Sequence, residues 1–161
     1  MNVMSTDRLL INRITLDDAG FILKLMNDKD WIKNIGDRGI RTIEEAEEYI
    51  RTRFLKTYNE VGFGFYSLII KETQQIIGIA GLVDREGIDH IDIGYGMLPE
   101  YRGKGYAQLV YAYLISVFDD TAISISMRRA KEKNKFFKDL GFTNFMGDIV
   151  FRNVLEFAAV V

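Results

Sequence analysis

The residues best equipped for chemistry lie in the string Asp92-Ile-Gly-Tyr-Gly-Met-Leu-Pro-Glu-Tyr-Arg-Gly-Lys-Gly-Tyr-Ala107. Two glycines, Gly103 and Gly105, alternate with two cations, Arg102 and Lys104, ahead of a long amphipathic segment. Tyr106, Leu109, Val110, Tyr113, Leu114, Val117 and Phe118 recur at helical spacing and predict one helix with a single buried face. Its first turn is expected over Arg102 to Ala107. The leading N–H groups of a helix have no partner within it, and the macrodipole adds positive partial charge there. Small residues and full positive charges at such an end suit a phosphate or pyrophosphate. The plainer alternative is a strand-to-helix turn that needs small residues, with two solvated basic side chains.

Several elements must position that string. Arg8 to Ile14 alternates and reads as a first strand. Thr15 and Asp18 resemble a helix start, with Ala19, Ile22, Leu23 and Met26 following at helical spacing. Residues 27–39 read as a loop containing Trp31. Thr42 and Glu45 form a capping box for a second helix, with Ile43, Ala46 and Ile50 facing inward. The acidic run Glu44, Glu45, Glu47, Glu48 lies in its first turns, where the dipole favours negative charge; helix stabilisation explains it better than a substrate site. Residues 64–70 and 76–83 are apolar strands around a polar 71–75 turn, hence a hairpin, and 88–98 is the next strand. A strand over 122–127, a helix over 131–140 stopped by Gly141, and strands over 142–145 and 149–157 complete the chain. The order is β, α, α, β-β-β, α, β, α, β, β, which predicts a mixed α/β (α+β) sheet with helices packed on its faces.

Composition narrows the function. With 161 residues, a single domain spanning 1–161 is expected. The apolar share of 48% and charged share of 27% are those of an ordinary soluble domain. The absence of cysteine excludes disulfides, thiolate metal sites and a cysteine nucleophile. His90 is the sole histidine, so a histidine-rich metal centre is excluded as well. A net charge of −2 argues against a nucleic-acid binder. No apolar run approaches the roughly 18 residues of a membrane span, and the N-terminal residues lack the apolar core of a signal peptide. A cytoplasmic protein is the expectation.

The string Arg102-Gly-Lys-Gly105-Tyr-Ala107 resembles the Arg/Gln-x-x-Gly-x-Gly/Ala signature of the GNAT acetyltransferase superfamily. Ile93-Gly-Tyr95, followed by Pro99-Glu-Tyr-Arg-Gly-Lys-Gly105, is similar to its ribosomal-protein N-acetyltransferase branch, as are Thr6-Asp-Arg-Leu-Leu-Ile11 and Leu140-Gly-Phe142. The element order is also that of the GNAT fold, a mixed, mostly antiparallel sheet with helices on both faces. The resemblance implies acetyl transfer from acetyl-CoA to a primary amine, by direct attack in a ternary complex.

It further implies a division of labour. Arg102, Gly103, Lys104, Gly105, Tyr106 and Ala107 would hold the pyrophosphate of coenzyme A, through backbone amides more than side chains. Gly96, Met97 and Leu98 would lie where a strand bulge lets a backbone N–H meet the acetyl carbonyl. Gly94 and Gly96 suit such a distortion, although accommodation of neighbouring helices would also explain them. Holding a lysine-type amine neutral at pH 7 costs about 4.6 kcal/mol, against about 1.1 kcal/mol for an α-amine, so an α-amine acceptor needs only a weak base. Asp92 is the candidate base, with an ordinary half-exposed strand position as the competing reading; His90, two residues earlier, shares its face of a regular strand.

Two positions depart from the family pattern. An asparagine that contacts the pantetheine arm is replaced by Ala130, with Asn134 one turn away, and a tyrosine proposed as general acid is replaced by Phe137. Those departures keep a non-catalytic acyl-CoA-binding module open beside the active enzyme. A dinucleotide oxidoreductase is disfavoured, since Gly94-Tyr-Gly96 lacks the third glycine and no helix follows at once. Trp31, Tyr49, Tyr66 and Tyr95 are candidates to line an acceptor pocket, or to be packing. The acceptor is expected to be a protein N-terminal amine, with polyamines, amino acids and aminoglycosides open. A homodimer is compatible with such a domain.

Overall fold

Leu9 and Ile11 are fully buried on strand β2 (Leu9–Arg13), one face of the alternation at the start of the chain. The computed structural model describes residues 2–83, 91–106, 123–126, 144–146 and 149–152. The chain divides into two units, Met1–Ala80 with Tyr95–Tyr106, and Gly81–Gly94 with Ala107–Val161.

In the first unit β2 pairs antiparallel with β3 (Phe65–Ile70), placing Leu9 opposite Ile70 and Arg13 opposite Tyr66. On its other side lies β1 (Asn2–Ser5), with Met4 opposite Ile11; the sequence pattern did not announce this strand. Four mixed residues are too few to show a period, so pairing alone defines it. β3 and β4 (Ile76–Val83) form the expected hairpin, closed by the Gln74 N–H to Ile70 O at 2.8 Å and the Ile70 N–H to Gln75 O at 3.0 Å. The hydrogen-bonded order runs β1-β2-β3-β4-β5, with β5 at Ile91–Met97.

The helices of this unit start as their caps dictate. Asp18 accepts from the Thr15 N–H at 2.9 Å ahead of α1 (Ala19–Met26), whose Ile22, Leu25 and Met26 are buried. The expected loop over 27–39 instead contains helix α2 (Lys29–Ile35). Asp28 caps it by accepting the Trp31 N–H at 3.1 Å, and Gly36 ends it at φ 112°. Seven residues are too short for helical periodicity to show, and Asp28 was its one sequence signal.

The capping box at Thr42 and Glu45 is present and opens α3 (Ile43–Tyr49). Ile43, expected to face inward, is exposed; the buried face runs Ala46, Ile50, Phe54, Tyr58. Those positions repeat every four residues, and each such step rotates an ideal helix by about 40°. Over three steps the row would leave the core. The helix compensates by widening to a π-helical segment, Ile50–Leu55, where the Lys56 N–H reaches back to Arg51 O, before α4 (Lys56–Val61). Leu9, Ile11, Ile14, Ile22, Leu25, Ile50 and Leu68 are fully buried in the core of this unit.

In the second unit β5 runs parallel to β6 (Ile123–Ser126), with Ile91 opposite Ile123 and Asp92 opposite Ser124. β8 (Ile149–Arg152) pairs antiparallel with β6 and with β7 (Asn144–Met146), giving the order β5-β6-β8-β7. The sheet is thus mixed and mostly antiparallel among the described pairings. The helices expected after Tyr106 and over 131–140 lie outside the described residues.

Candidate functional site

β5 ends at Met97, and Pro99–Tyr101 form a short 3-10 turn that delivers the chain to Arg102. The expectation that Arg102 already begins the helix is corrected. Its backbone is extended, at φ −70° and ψ 154°, and helical geometry begins only at Tyr106. Gly103 and Gly105 instead adopt φ 75° and 78°, the left-handed region in which a side chain is strained. A Cβ built on either glycine meets nothing within 4 Å among the described residues, so these leave open space over the turn. Successive N–H groups in such a turn form a concavity that accepts anions. Ala107 falls outside the described residues.

The turn is fastened from the side by a residue that sequence reasoning did not single out. Arg8 Nη1 donates to Lys104 O at 3.0 Å, and its guanidinium lies 4.2 Å from the centroid of the buried Tyr106 ring. Lys104 Nζ lies 5.4 Å from the Tyr101 ring, whose hydroxyl donates to Gln75 Oε1 at 2.7 Å. Among the described residues, Arg8 and Lys104 are therefore the cations at the turn.

Arg102 is not among them, which corrects the expectation that its charge serves an anion there. Its Nε donates to Met97 O at 2.9 Å, its Nη2 to Asp28 Oδ1 at 2.9 Å, and its Nη1 to Asp30 Oδ2. Burial pulls this guanidinium down, but its hydrogen bonds to Asp30 and Asp28 outweigh that and hold it above its usual value. The side chain is committed to α2, and the Arg102 N–H donates back to Pro99 O at 3.2 Å.

Where β4 passes β5 the two backbones come unusually close. A Cβ on Gly78 would lie 2.5 Å from Gly96 O and 3.1 Å from Met97 Cα. A Cβ on Gly96 would enter the ring of Trp31. Met97 and Leu98 are both buried here. The Leu98 N–H donates to Ile77 O at 3.0 Å and its carbonyl accepts from the Tyr101 N–H at 3.0 Å, so both backbone groups of Leu98 are engaged. The Met97 carbonyl is taken by Arg102.

The aromatic candidates separate. Trp31 is 8% exposed and lies on Gly96, and its indole N–H has no acceptor among the described residues. Tyr66 is core, stacked on Tyr58 at 5.6 Å, and burial raises the pKa of both. Tyr58 is fixed further by accepting the Ile14 N–H at 3.1 Å and donating to Phe65 O. Tyr49 packs edge-on against Phe54 and lines an open cleft of about 670 Å³ with Asp37, Glu45, Glu48, Arg38 and Arg53; Trp31 does not line it. Tyr95 is half-buried on β5. Asp92 lies on β5 in the second unit, opposite Ser124. His90, Ala130, Asn134 and Phe137 fall outside the described residues.

Among the described residues no three acidic or histidine side chains gather as a metal site, and no helix is long and apolar enough to cross a membrane.

A family model described as acetyltransferase (GNAT) domain matches residues 8–149. The uncharacterized N-acetyltransferase p20 of Bacillus licheniformis is 25% identical over 137 residues, 81% of this chain and 73% of its own length. The uncharacterized N-acetyltransferase YoaA of Bacillus subtilis is 27% identical over 115 residues, 71% of this chain and 64% of its own, just under two thirds. Among solved structures, a Bordetella pertussis protein assigned to the GnaT-family acetyltransferases superposes with a TM-score of 0.73 at 18% identity, covering 94% of this chain and 99% of that one. The spermidine N-acetyltransferase of Vibrio cholerae, in complex with CoA and spermine, gives 0.67 at 15% identity, covering 91% and 94%. A Vibrio cholerae protein assigned as a ribosomal-protein-serine acetyltransferase gives 0.67 at 16%, covering 94% and 95%. At these identities the solved structures speak for the fold alone.

Proposed function

The chain belongs to the GNAT acetyltransferases, acyltransferases that use acetyl-CoA, and from that premise we propose that it acetylates a primary amine, with a protein N-terminal α-amine as acceptor. The left-handed Gly103–Gly105 turn between the end of β5 and the start of the next helix carries the reading. The residues present fit the cofactor's anionic part. Among the described residues the turn has open space above both glycines, and Arg8 and Lys104 supply positive charge beside it. Acetyl-CoA, when bound, supplies an acetyl thioester that an amine can attack directly.

In this reading the amides of Gly103, Lys104, Gly105 and Tyr106 hold the pyrophosphate, a role the family resemblance also assigns to Ala107. Arg102 contributes no side chain to it, and its N–H already donates to Pro99 O at 3.2 Å. The Met97 N–H is the donor assigned to the acetyl carbonyl, since the backbone groups of Leu98 are already engaged. Asp92 is assigned as the base that takes the proton the amine gives up. An α-amine suits it, because holding that amine neutral at pH 7 costs only about 1 kcal/mol. No second base is available from Asp18, whose carboxyl is raised by burial but bound into the start of α1.

Polyamines are the second reading, prompted by the structural likeness to the Vibrio cholerae spermidine enzyme. The acidic cleft at Glu45 and Glu48 gives it little support, because Arg38 and Arg53 line the same cleft. We further assign residues 1–161 to one acetyltransferase domain, and a cysteine-free chain is compatible with the reducing cytoplasm.

Calorimetric titration with acetyl-CoA tests the site, comparing the parent protein with Gly105→Glu. The parent is expected to bind in the micromolar range. The variant places a carboxylate on a left-handed backbone in the open space over the turn, and binding should fall at least a hundredfold. Absence of binding by the parent would withdraw the cofactor site. CoA release with an alanine-initiated peptide, above the hydrolysis blank, would separate the enzyme from a binding module.

A further inference from the structure

Arg102 heads the glycine turn in sequence, yet its side chain serves a different element. Its guanidinium closes three hydrogen bonds, to Met97 O on β5 and to Asp28 and Asp30 at the start of α2. Asp28 Oδ1 is shared: it accepts from Arg102 at 2.9 Å and from the Trp31 N–H at 3.1 Å. One carboxylate oxygen therefore both caps α2 and receives the clasp. Three residues beyond Asp28, the Trp31 ring lies so close over Gly96 that a Cβ there would come within 2.7 Å of Cε3 and 3.2 Å of Cη2. α2 is thus held to β5 twice, by an aromatic ring on Gly96 and by a guanidinium on the carbonyl of the next residue. The indole is buried, and its N–H has no acceptor among the described residues.

We propose that Arg102 is a positioning residue that clamps α2 across the end of β5, so that Trp31 forms the acceptor-side wall of the acetyl-transfer site. The proposal rests on the reading that places the acetyl group at Gly96 and Met97. It separates two jobs that adjacent residues perform. The turn is fastened by Arg8 through Lys104 O and Tyr106, independently of the clasp. Loss of the clasp frees α2 and Trp31 and leaves the anion-holding amides in place. Removing Arg102 therefore weakens the acceptor, not the cofactor.

Trp31 is the only tryptophan of the chain, so its emission reports on α2 alone. Two variants of the full-length protein break the clasp from opposite sides: Arg102→Gln, and Asp28→Asn combined with Asp30→Asn. Asparagine is as good a helix cap as aspartate, so the second variant removes charge while keeping the start of α2. Both are expected to shift Trp31 emission to the red and to raise its acrylamide quenching constant at least twofold. Arg102→Lys, able to reach one carboxylate, should recover part of the shift. Acetyl-CoA affinity by calorimetry should stay within threefold of the parent. With an alanine-initiated peptide as acceptor, KM for the peptide should rise tenfold or more while KM for acetyl-CoA holds.

Unchanged emission and quenching in both variants would overturn the clasp. So would a loss of acetyl-CoA affinity beyond tenfold with unaltered Trp31 emission, since that would make Arg102 a cofactor ligand. If Arg102→Gln fails to fold, Asp30→Asn alone, at the more exposed carboxylate, gives the same optical readout. The fluorescence stands apart from activity: a parent protein that binds no acetyl-CoA sinks the functional reading, whereas an unmoved Trp31 sinks the clasp.

Discussion

Gly103 and Gly105 in the turn, and Gly78 and Gly96 at the strand crossing, are glycines for opposite reasons. In the turn the backbone is left-handed, and a Cβ on either glycine would meet nothing among the described residues. At the crossing φ needs no glycine, but there is no room: a Cβ at Gly78 would press on the backbone of Gly96 and Met97, and one at Gly96 on the ring of Trp31. The first pair is conformational and faces outward, where a ligand could lie. The second is steric and faces inward, where strand and helix close on each other. A glycine that looks functional in a sequence can thus be either a hole kept open or a hole already filled.

The largest effect should come from filling the second kind. Gly78→Ala sets a methyl against backbone that cannot swing aside, and overpacking of this sort should cost about 3 kcal/mol. Gly96→Ala should cost about 2 kcal/mol, because its obstacle is a side chain. Urea unfolding, with the shift in midpoint read at constant m-value, measures both. The comparison sharpens further in a double-mutant cycle. Trp31→Leu vacates the ring edge over Gly96, so the pair Gly96→Ala with Trp31→Leu should be less destabilised than the sum of the singles by about 1 kcal/mol or more. The same cycle with Gly78→Ala should show far less coupling. A cost under about 0.5 kcal/mol for Gly78→Ala would break the contrast, since it would mean that the strands can part.

In the turn, Gly103→Ala and Gly105→Ala should each cost about 1–2 kcal/mol through the left-handed backbone alone, with no packing partner able to relieve it. Both should leave the unfolding transition cooperative while weakening acetyl-CoA. Equal losses of stability and of binding at the strand crossing and in the turn would erase the distinction. The expected pattern is crossed: stability first for Gly78, binding first for Gly105.

That crossing explains what a reading of the chain could and could not supply. Local chemistry was visible: the Thr42–Glu45 box, the polar 71–75 turn, and the alternation of Gly103 and Gly105 with charge. Contacts between distant positions were not. Arg102 meets its carboxylates 72 and 74 residues away, and Arg8 reaches Lys104 across 96. Gly96 tells of a close approach without naming Trp31, and Gly78 gives no sign of one within an apolar strand. α2 was hidden for a related reason, since its stability comes from Asp28 and from packing on β5 more than from a repeat of its own. A strong local motif points a side chain to the turn it sits in, and Arg102 shows how a motif residue can be spent elsewhere.

The smallest effect provides the control, at the one non-glycine described with positive φ. Gln74 closes the β3–β4 hairpin at φ 58°, with its Nε2 donating to Lys71 O at 2.7 Å. Left-handed strain there costs about 1–2 kcal/mol, and asparagine tolerates that region better than glutamine. Gln74→Asn should therefore stabilise the protein by about 0.5 kcal/mol. Gln74→Gly removes the strain too, but returns about 0.5–1 kcal/mol to the unfolded chain's entropy and should come out close to neutral. Gln74→Val, β-branched in a left-handed position, should be the worst of the three. The order Asn, Gly, Val in unfolding midpoint would show that this position answers to backbone conformation, as Gly105 does, and not to space. If valine were tolerated as well as asparagine, the hairpin would have to relax out of its left-handed turn, and conformation would lose its claim on the glycine turn as well.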